Sequence, residues 1–424
     1  MDRETLHSCC NLVKSGRQSY EQSCPSDLVD YIDRKDFNYS RFFQRYLLPN
    51  RPCVLSRKFT DDWNSRKNWV TDEGKPNFRK LLQYFDDTPV PVANCNAREY
   101  NANPKQILPF KEFITYWKEY IQNGHSSTKG CLYLKDWHMH RTFPEHNAYS
   151  TPVFFSSDWL NEYWDTIEVD DYRFVYMGPR GSWTPFHADV FRSYSWSANI
   201  CGRKKWLLYP PGQEDNLRDC HGNLVYDVTA PILQEKKLYP HYHEACQPLE
   251  IIQAAGEIIF VPSGWHHQVY NLEDTISINH NWMNGCNLDL MWKFLQGELS
   301  AVQKEISEWR NTMETWDLHC QVIMKSCTGI DYKEFAAFLK VIADNRLSYL
   351  SSCSGSSGPK CPRPVSAALA TLGPQHAIFD LQRVAQTLEC MLNDEDFKRL
   401  EPSSLSTRPD TLLQQIREAM RTVL

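Results

Sequence analysis

The chain has 424 residues and a formal net charge of −6. A protein that coats nucleic acid needs a basic face, so that role is disfavoured and we expect no direct nucleic-acid partner. Hydrophobic residues make up 42% and charged residues 23%, which excludes a wholly disordered chain. No apolar run is long enough for a membrane span or a secretory signal, so we expect no membrane partner. The 15 cysteines are then expected to be reduced in the cytoplasm; the sequence does not decide whether a nuclear pool exists.

The N-terminal part of the chain predicts a mixture of helices and strands. Residues 1–26 are polar and are predicted to form a flexible tail, whereas residues 27–171 are predicted to form α/β elements that pack on a core. Proline position and apolar periodicity give the individual elements. They are a helix that ends at Pro49, a strand at 51–56, an amphipathic helix at 110–122 and a strand at 131–137.

Residues 172–284 contain short β-like runs separated by glycine, proline and asparagine. Many strands of about six residues at this spacing predict an all-β sandwich, jelly roll or barrel. The predicted strands cover residues 172–178, 193–200, 204–210, 257–262, 265–271 and 275–282.

The rest of the chain is predicted to be helical. Residues 285–350 carry apolar residues at three- and four-residue steps, with Asn287 and Asp331 as candidate N-caps. Residues 351–366 are rich in Ser, Gly and Pro and predict a flexible linker. Two further helices are expected within 367–424, at about 376–392 and 409–422. Their apolar stripes pack either within one chain or between two, so a monomer and a homodimer through these helices both stay open.

One short motif could hold a metal ion. On a strand, residues i and i+2 share a face, so His187 and Asp189 can supply two ligands to a divalent cation. Such a pair is more often an ordinary polar pair on a surface strand. A third ligand could come from His266 or His267, and at most one of these neighbours can face the same site. For either histidine, the alternative is a buried ring satisfied by hydrogen bonds, and spacing alone does not decide.

The hairpin at 201–210, CGRKKWLLYP, places lysines beside this candidate site. A lysine buried on such a strand is costly unless it meets an anion, and a dicarboxylate co-substrate would provide one. The alternative is an exposed hairpin with its basic residues in water, because lysines are seldom fully buried.

Together, the runs at 172–211 and 256–282 resemble the Jumonji-C (JmjC) Fe(II)/2-oxoglutarate oxygenases, in the hydroxylase branch rather than among the large chromatin demethylases. The chain has the family's order: a strand ending in Gly-Pro, a Thr three residues before His-x-Asp, a Gly-x-Lys hairpin, and Gly-x-Ile-x-Phe-x-Pro followed by Trp-His. The resemblance covers about residues 35–300. It implies a mainly β fold with α, in which a double-stranded β-helix core of jelly-roll or cupin type at 172–284 is flanked by N-terminal helices and strands and followed by a C-terminal helical region.

The resemblance also implies cofactors and residue roles. Fe(II), 2-oxoglutarate and O₂ are expected, with ascorbate as the reductant. The lysine of the hairpin and the threonine before the His-x-Asp motif would bind the C5 carboxylate of 2-oxoglutarate. The expected metal ligands are His187, Asp189 and His266, and the expected 2-oxoglutarate contacts are Lys204, Thr184, Asn281, Tyr133 and Ser197.

Within the hydroxylase branch the sequence resembles a lysyl hydroxylase of the eukaryotic translation termination release factor, which implies a protein substrate. A lysine substrate would need carboxylates or carbonyl oxygens at the pocket mouth, and the candidate carboxylates are Asp136, Glu162, Asp165 and Asp170. One alternative is a JmjC N-methyl-lysine or N-methyl-arginine demethylase, whose metal chemistry is the same. The other alternative is a non-catalytic binding module on a cupin scaffold, which the complete ligand set disfavours.

Overall fold

The structure is a computed structural model that describes residues 29–33, 37–353, 363–400 and 408–423. The tail predicted at 1–26 lies outside the described residues. None of the helices in these ranges combines the length and the apolar composition that a bilayer crossing requires.

Within the described residues, thirteen strands form two sheets. The nine-stranded sheet has the order β1-β2-β11-β8-β13-β6-β5-β3-β4, and the four-stranded sheet has the order β10-β9-β12-β7. Neighbouring strands in the described residues are antiparallel, except for the parallel pair β1 and β2. The strands are β1 Asp30–Ile32, β2 Cys53–Leu55, β3 Pro89–Asn94, β4 Lys105–Pro109, β5 Leu132–Trp137, β6 Arg173–Gly178, β7 Trp183–His187, β8 Tyr194–Cys201, β9 Lys204–Tyr209, β10 Leu249–Gln253, β11 Ile258–Val261, β12 His266–Asn271 and β13 Thr275–Trp282.

Eight of these strands form the predicted jelly roll. The β11-β8-β13-β6 part of the large sheet faces the small sheet β10-β9-β12-β7. Alternation along β9 and β12 directs Trp206, Leu208 and Val269 to one buried cluster, which also contains Ile251 of β10 and Val261 of β11. This cluster fills one part of the space between the sheets, and the polar residues that form the candidate site come from the inward positions that remain.

Thirteen α-helices surround the sheets in the described part of the chain. The helix predicted at 110–122 is present with those bounds, and it buries aromatic residues against the large sheet. The helices are α1 Tyr39–Phe42, α2 Asn64–Asn68, α3 Phe78–Phe85, α4 Phe110–Gln122, α5 Met139–Thr142, α6 Trp159–Ile167, α7 Leu288–Glu305, α8 Trp316–Thr328, α9 Tyr332–Cys353, α10 Arg363–Leu372, α11 Pro374–Asn393, α12 Glu395–Lys398 and α13 Pro409–Val423. A π-helical turn, Phe43–Leu47, continues α1.

The C-terminal helices form a second hydrophobic core with α6. Asp331 caps α9 as predicted, because its carboxylate accepts the backbone N–H of Glu334 at 2.8 Å. The flexible linker predicted at 351–366 is partly wrong, since residues 351–353 belong to α9 and residues 363–366 to α10. The residues between them, 354–362, lie outside the described residues.

A buried ion cluster joins these helices to α6. The guanidinium of Arg346 on α9 contacts Glu162 of α6 and lies 2.9 Å from Asp380 of α11. All three side chains are at least nine-tenths buried. Two buried carboxylates around one guanidinium are tolerable because each carboxylate is paired. Loss of Arg346 would leave Glu162 without a cation and Asp380 with only His376, whose Nδ1 lies 3.3 Å away.

The two ends of the described chain also meet. The Tyr39 hydroxyl at the start of α1 lies 2.8 Å from His376 Nε2 on α11. One turn further along each helix, the rings of Phe43 and Phe379 pack edge to face with centroids 5.2 Å apart. The C-terminal helix α11 is therefore part of the packing of the N-terminal helix.

Candidate active site

Three possible metal ligands come together at one end of the jelly roll. The ligand atoms of His187, Asp189 and His267 all lie within 4.8 Å of one another. His187 ends β7, and Asp189 follows it at the start of a 3-10 turn, Val190–Arg192. Two histidines and one carboxylate are the facial triad that binds non-haem Fe(II) and leaves positions open for other ligands. The donor set therefore fits a ferrous ion.

The distal histidine is His267, so the prediction of His266 is wrong. His267 pairs directly with His187 across β12 and β7, whereas His266, as its neighbour on the strand, faces the other side. There His266 packs near Phe186, with Nε2 3.2 Å from an Arg192 nitrogen. Burial, followed by the positive charge of Arg192, lowers the pKa of His266 to about 2.

Backbone carbonyls orient both ligand rings. His187 Nδ1 lies 2.8 Å from the carbonyl of Pro185, and His267 Nδ1 lies 3.0 Å from the carbonyl of Trp265. A carbonyl only accepts, so each Nδ1 must carry the proton and each Nε2 keeps a lone pair for a metal. Burial and, as a smaller cause, the neighbouring His267 lower the pKa of His187 to about 4. This low pKa keeps the ring neutral at physiological pH.

The carboxylate ligand is also held from outside the triad. The hydroxyl of Ser195 on β8 donates to Asp189 Oδ2 at 2.6 Å. This bond fixes the orientation of the Asp189 carboxylate beside the histidines. Such outer contacts commonly tune metal affinity.

An irregularity in β7 aligns Thr184 with His187. The pairing of β7 with β12 shifts by one residue between His187–His267 and Thr184–Val269. His267 and Val269 share a face of β12, so their partners Thr184 and His187 also share a face although three residues separate them. The predicted hydroxyl and the metal ligand thus lie on the same face of β7.

Behind the triad lies a pocket that contains two lysines. Lys204 of β9 is 2% exposed, and its ammonium lies 3.4 Å from the hydroxyl of Tyr133 on β5. Lys135, two residues along β5 from Tyr133, is 8% exposed and reaches Thr184 Oγ1 at 3.4 Å. Burial, followed by Lys135, lowers the pKa of Lys204 to about 7. The structure thus brings together Lys204, Tyr133 and Thr184 of the predicted set.

The pocket has the polarity that an anion requires. Among the described residues, neither Lys135 nor Lys204 forms an ion pair with a carboxylate; Asp136, the acid next to Lys135 in sequence, pairs with Lys105. Asn271 lies opposite Lys204 in the pairing of β12 with β9, and its buried Oδ1 has no hydrogen-bond partner in the described structure. Two buried lysines without an acidic partner fit a dicarboxylate, because burying unpaired charges is otherwise costly.

Two predicted contacts make other hydrogen bonds. Ser197 of β8 donates to Asn279 Oδ1 at 2.9 Å, and Asn281 of β13 donates to Ser193 Oγ at 3.1 Å. Both side chains are buried. In the described residues these bonds link the strands of the large sheet, so a role of Ser197 or Asn281 in binding 2-oxoglutarate stays a prediction.

Sequence reasoning missed Lys135, Ser195 and the correct choice between the two histidines. The sequence did contain a signal for His267. Val269, two residues further along β12, is apolar and faces inward, and residues i and i+2 of a strand lie on the same face. The signal for Lys135 was only that its strand also carries Tyr133. Nothing in the sequence marks Ser195 as the partner of Asp189.

A jelly roll with a two-histidine, one-carboxylate triad beside a cationic pocket defines the non-haem iron oxygenase class. Residues 39–287 match the model of the cupin-like domain family. The chain therefore belongs to this cupin-like family, in its JmjC group of 2-oxoglutarate- and iron-dependent oxygenases.

The full-length relatives agree with that membership. The chain is 73% identical over 424 residues to the 2-oxoglutarate and iron-dependent oxygenase JMJD4 of Danio rerio, with 100% of each chain covered. It is 61% identical over 430 residues to the protein of the same name in Gallus gallus, again with 100% of each chain covered. It is also 41% identical over 342 residues to the arginine-specific demethylase JMJ20 of Arabidopsis thaliana. That match covers 77% of this chain and 72% of the Arabidopsis protein.

Proposed function

We propose that this protein is an Fe(II)- and 2-oxoglutarate-dependent hydroxylase of a lysine side-chain carbon in the eukaryotic translation termination release factor. The observation that carries the oxygenase part is the position of the His187–Asp189–His267 triad next to two buried lysines. The similarity to relatives named 2-oxoglutarate and iron-dependent oxygenases supports the same chemistry. The lysine and the release factor rest on the sequence resemblance to lysyl hydroxylases.

The chain's own residues account for binding and orientation. His187, Asp189 and His267 would hold the iron, and Lys204, Thr184 and Tyr133 would bind the far carboxylate of 2-oxoglutarate. When bound, iron with 2-oxoglutarate supplies the activation of O₂, with one oxygen atom going to the substrate carbon and the other to succinate as CO₂ leaves. Because both histidines are fixed by backbone carbonyls, the ligand geometry is set before the co-substrate arrives.

The candidate acids for a substrate lysine are already engaged. Asp165 accepts two hydrogen bonds of 2.8 Å from Arg173, and Glu162 belongs to the buried Arg346 cluster. Asp136 pairs with Lys105. Asp170 lies 3.2 Å from His138 Nδ1. The proposal therefore places the substrate ammonium against carbonyl oxygens or in solvent at the pocket mouth, with the reacting carbon inside.

A demethylase is the second candidate. The 41% identity to a protein named as an arginine-specific demethylase favours it, and oxidation of an N-methyl carbon would use the same metal ligands. That relative is less similar in sequence than the two whose names give only a 2-oxoglutarate and iron-dependent oxygenase. We therefore place hydroxylation first.

The test is turnover of 2-oxoglutarate with Fe(II), ascorbate and recombinant release factor, followed by peptide mass spectrometry. The hydroxylase proposal expects succinate and one added oxygen atom on a lysine, both absent in His187→Ala. Formaldehyde released from methylated peptides, without lysine oxidation, would establish the demethylase instead. If the metal-loaded protein bound no 2-oxoglutarate, the binding-module alternative would replace both.

We further propose a cytoplasmic location and action as a monomer or as a homodimer through the C-terminal helices. Fractionation of cells and a mass measurement in solution test these two points. A mainly nuclear protein, or an assembly larger than a dimer, would contradict them.

A further inference from the structure

We propose that Lys135 is a second cation for the distal carboxylate of 2-oxoglutarate, acting together with Lys204. This inference rests on the proposed function and names one more positioning residue for its co-substrate. The geometry that carries it is a buried ammonium that contacts the hydroxyl already assigned to that carboxylate.

The strand that carries Lys135 is distorted at this point. The register of β5 on β6 shifts by one residue between Leu134–Met177 and Trp137–Val175. Within the shift, Asp136 has a φ of 59°, in the left-handed region that a non-glycine residue seldom adopts. Such bulges redirect side chains and concentrate near active sites, where the strain is retained.

The bulge has a clear effect on side-chain directions. Leu134 and Trp137 both pack into the large hydrophobic core although three residues separate them. The extra residue therefore lets β5 keep these apolar contacts, while Lys135 remains on the pocket side with Tyr133. Asp136 is turned away to Lys105 and to the hydroxyl of Tyr176, which hold its carboxylate.

The contacts of Lys135 place it beside Thr184 and Tyr133. Its ammonium lies 3.4 Å from Thr184 Oγ1 and 6.0 Å from the ring centroid of Tyr133. Tyr133 is also the residue whose hydroxyl contacts Lys204. Both ammonium groups thus lie against Tyr133, and that of Lys135 also contacts Thr184.

Two cations this close repel each other unless an anion lies between them. The protein places no carboxylate in ion-pair contact with either ammonium among its described residues, because Asp136 is directed to Lys105. A carboxylate that accepts from both lysines would compensate this repulsion, and charge-assisted hydrogen bonds of this kind are the strong ones. We expect the pair to discriminate 2-oxoglutarate from 2-oxo acids that lack the second carboxylate.

The experiment compares Lys135→Met with wild type. Manganese-loaded protein is titrated with 2-oxoglutarate and with 2-oxopentanoate, which has a methyl group in place of the distal carboxylate. We expect Lys135→Met to weaken 2-oxoglutarate binding by about 10-fold or more and to leave 2-oxopentanoate unchanged. The matched control is Lys205→Met, because Lys205 faces outward and pairs with Glu250 at 2.8 Å; both affinities should stay as in wild type.

A second measurement separates binding from folding. Without ligands, Lys135→Met should melt no lower than wild type, because it removes a buried cation and keeps a side chain of similar length. Unchanged 2-oxoglutarate affinity, or an equal loss for both acids, would overturn the assignment to the distal carboxylate. If wild type itself did not prefer 2-oxoglutarate to 2-oxopentanoate, the proposed function would fail instead.

Discussion

His187 and His267 lie opposite each other across the pairing of β7 with β12, with ring centroids 4.4 Å apart. A one-residue change of position along β12 would exchange His267 for His266 and remove the ring from the triad. The register of this pair of strands therefore decides which histidine can bind a metal.

The two adjacent histidines should behave differently when each is replaced by glutamine. His267→Gln removes a ligand and should weaken Mn(II) binding by more than the ~10- to 100-fold that loss of an outer contact costs. His266→Gln should leave Mn(II) binding within a few-fold of wild type, because its ring faces Phe186 and Arg192. Calorimetric titration with Mn(II) measures both. Abolished binding in His266→Gln with retained binding in His267→Gln would reverse our assignment.

The contact of Ser195 with Asp189 should be visible in metal affinity. Ser195→Ala removes the donor to Oδ2 and leaves the carboxylate free to rotate, so we expect about a 10- to 100-fold weaker Mn(II) site. Ser197→Ala is the matched control, because Ser197 lies two residues along the same strand and bonds to Asn279. Equal Mn(II) affinities for the two variants would argue against an orienting role of Ser195.

Co-substrate binding should take up a proton above neutral pH. Burial, followed by Lys135, lowers the pKa of Lys204 from 10.5 to about 7, so at pH 8 the free pocket is largely deprotonated at this residue. Tyr133 and Tyr176, which also lie against Lys204, stay neutral at pH 8, because burial raises the pKa of each above its usual value. Lys135, the second ammonium beside Lys204, also has a lowered pKa because it is buried. A bound carboxylate favours the ammonium and raises the pKa of Lys204, so binding at pH 8 should draw in about one proton.

Calorimetry of 2-oxoglutarate binding in buffers of different ionisation enthalpy measures that uptake. Affinity should fall as the pH rises above about 7, the pKa of Lys204 in the free pocket. Lys204→Arg keeps its charge at pH 8, so its uptake should be smaller than that of wild type. A wild-type reaction without proton exchange at pH 8 would show that Lys204 is already charged in the free protein.

The Arg346 cluster should contribute strongly to the free energy of unfolding. Arg346→Met leaves Glu162 and Asp380 buried without their cation, and we expect a loss of about 3–5 kcal/mol in the free energy of unfolding. Arg417→Met is the control, because Arg417 and Glu389 are 55% and 46% exposed and such surface pairs contribute at most about 1 kcal/mol. Chemical denaturation gives both values. Similar losses for the two variants would mean that the buried cluster contributes no more than a surface pair.

The sequence predicted the jelly roll because its strands are short, alternating and separated by turn residues. It also located His187, Asp189 and Lys204, since each lies in a recognisable local pattern. Strands β1, β3, β4, β7 and β10 were not among the predicted strands; β4 is an exposed edge strand whose residues lack a clear apolar alternation. Sequence spacing could not place Lys135 or Thr184, because both depend on one-residue register shifts between strands.

The choice between His266 and His267 shows most clearly what local sequence cannot predict, namely which face of a strand a residue occupies. Both residues follow the same turn and begin the same strand, β12, so the local sequence is almost identical for each. Only the partner strand fixes which of them faces inward, and that partner is β7, some eighty residues earlier in the chain.

The contact between Tyr39 and His376 joins residues 337 positions apart. During synthesis, α1 must therefore emerge from the ribosome long before its partner helix exists. The N-terminal aromatic face would stay exposed while the jelly roll is being made, and the fold could close only after nearly the whole chain is released. Truncation or premature termination near the C-terminus would thus expose apolar surface at the opposite end of the polypeptide, where a chaperone could bind it.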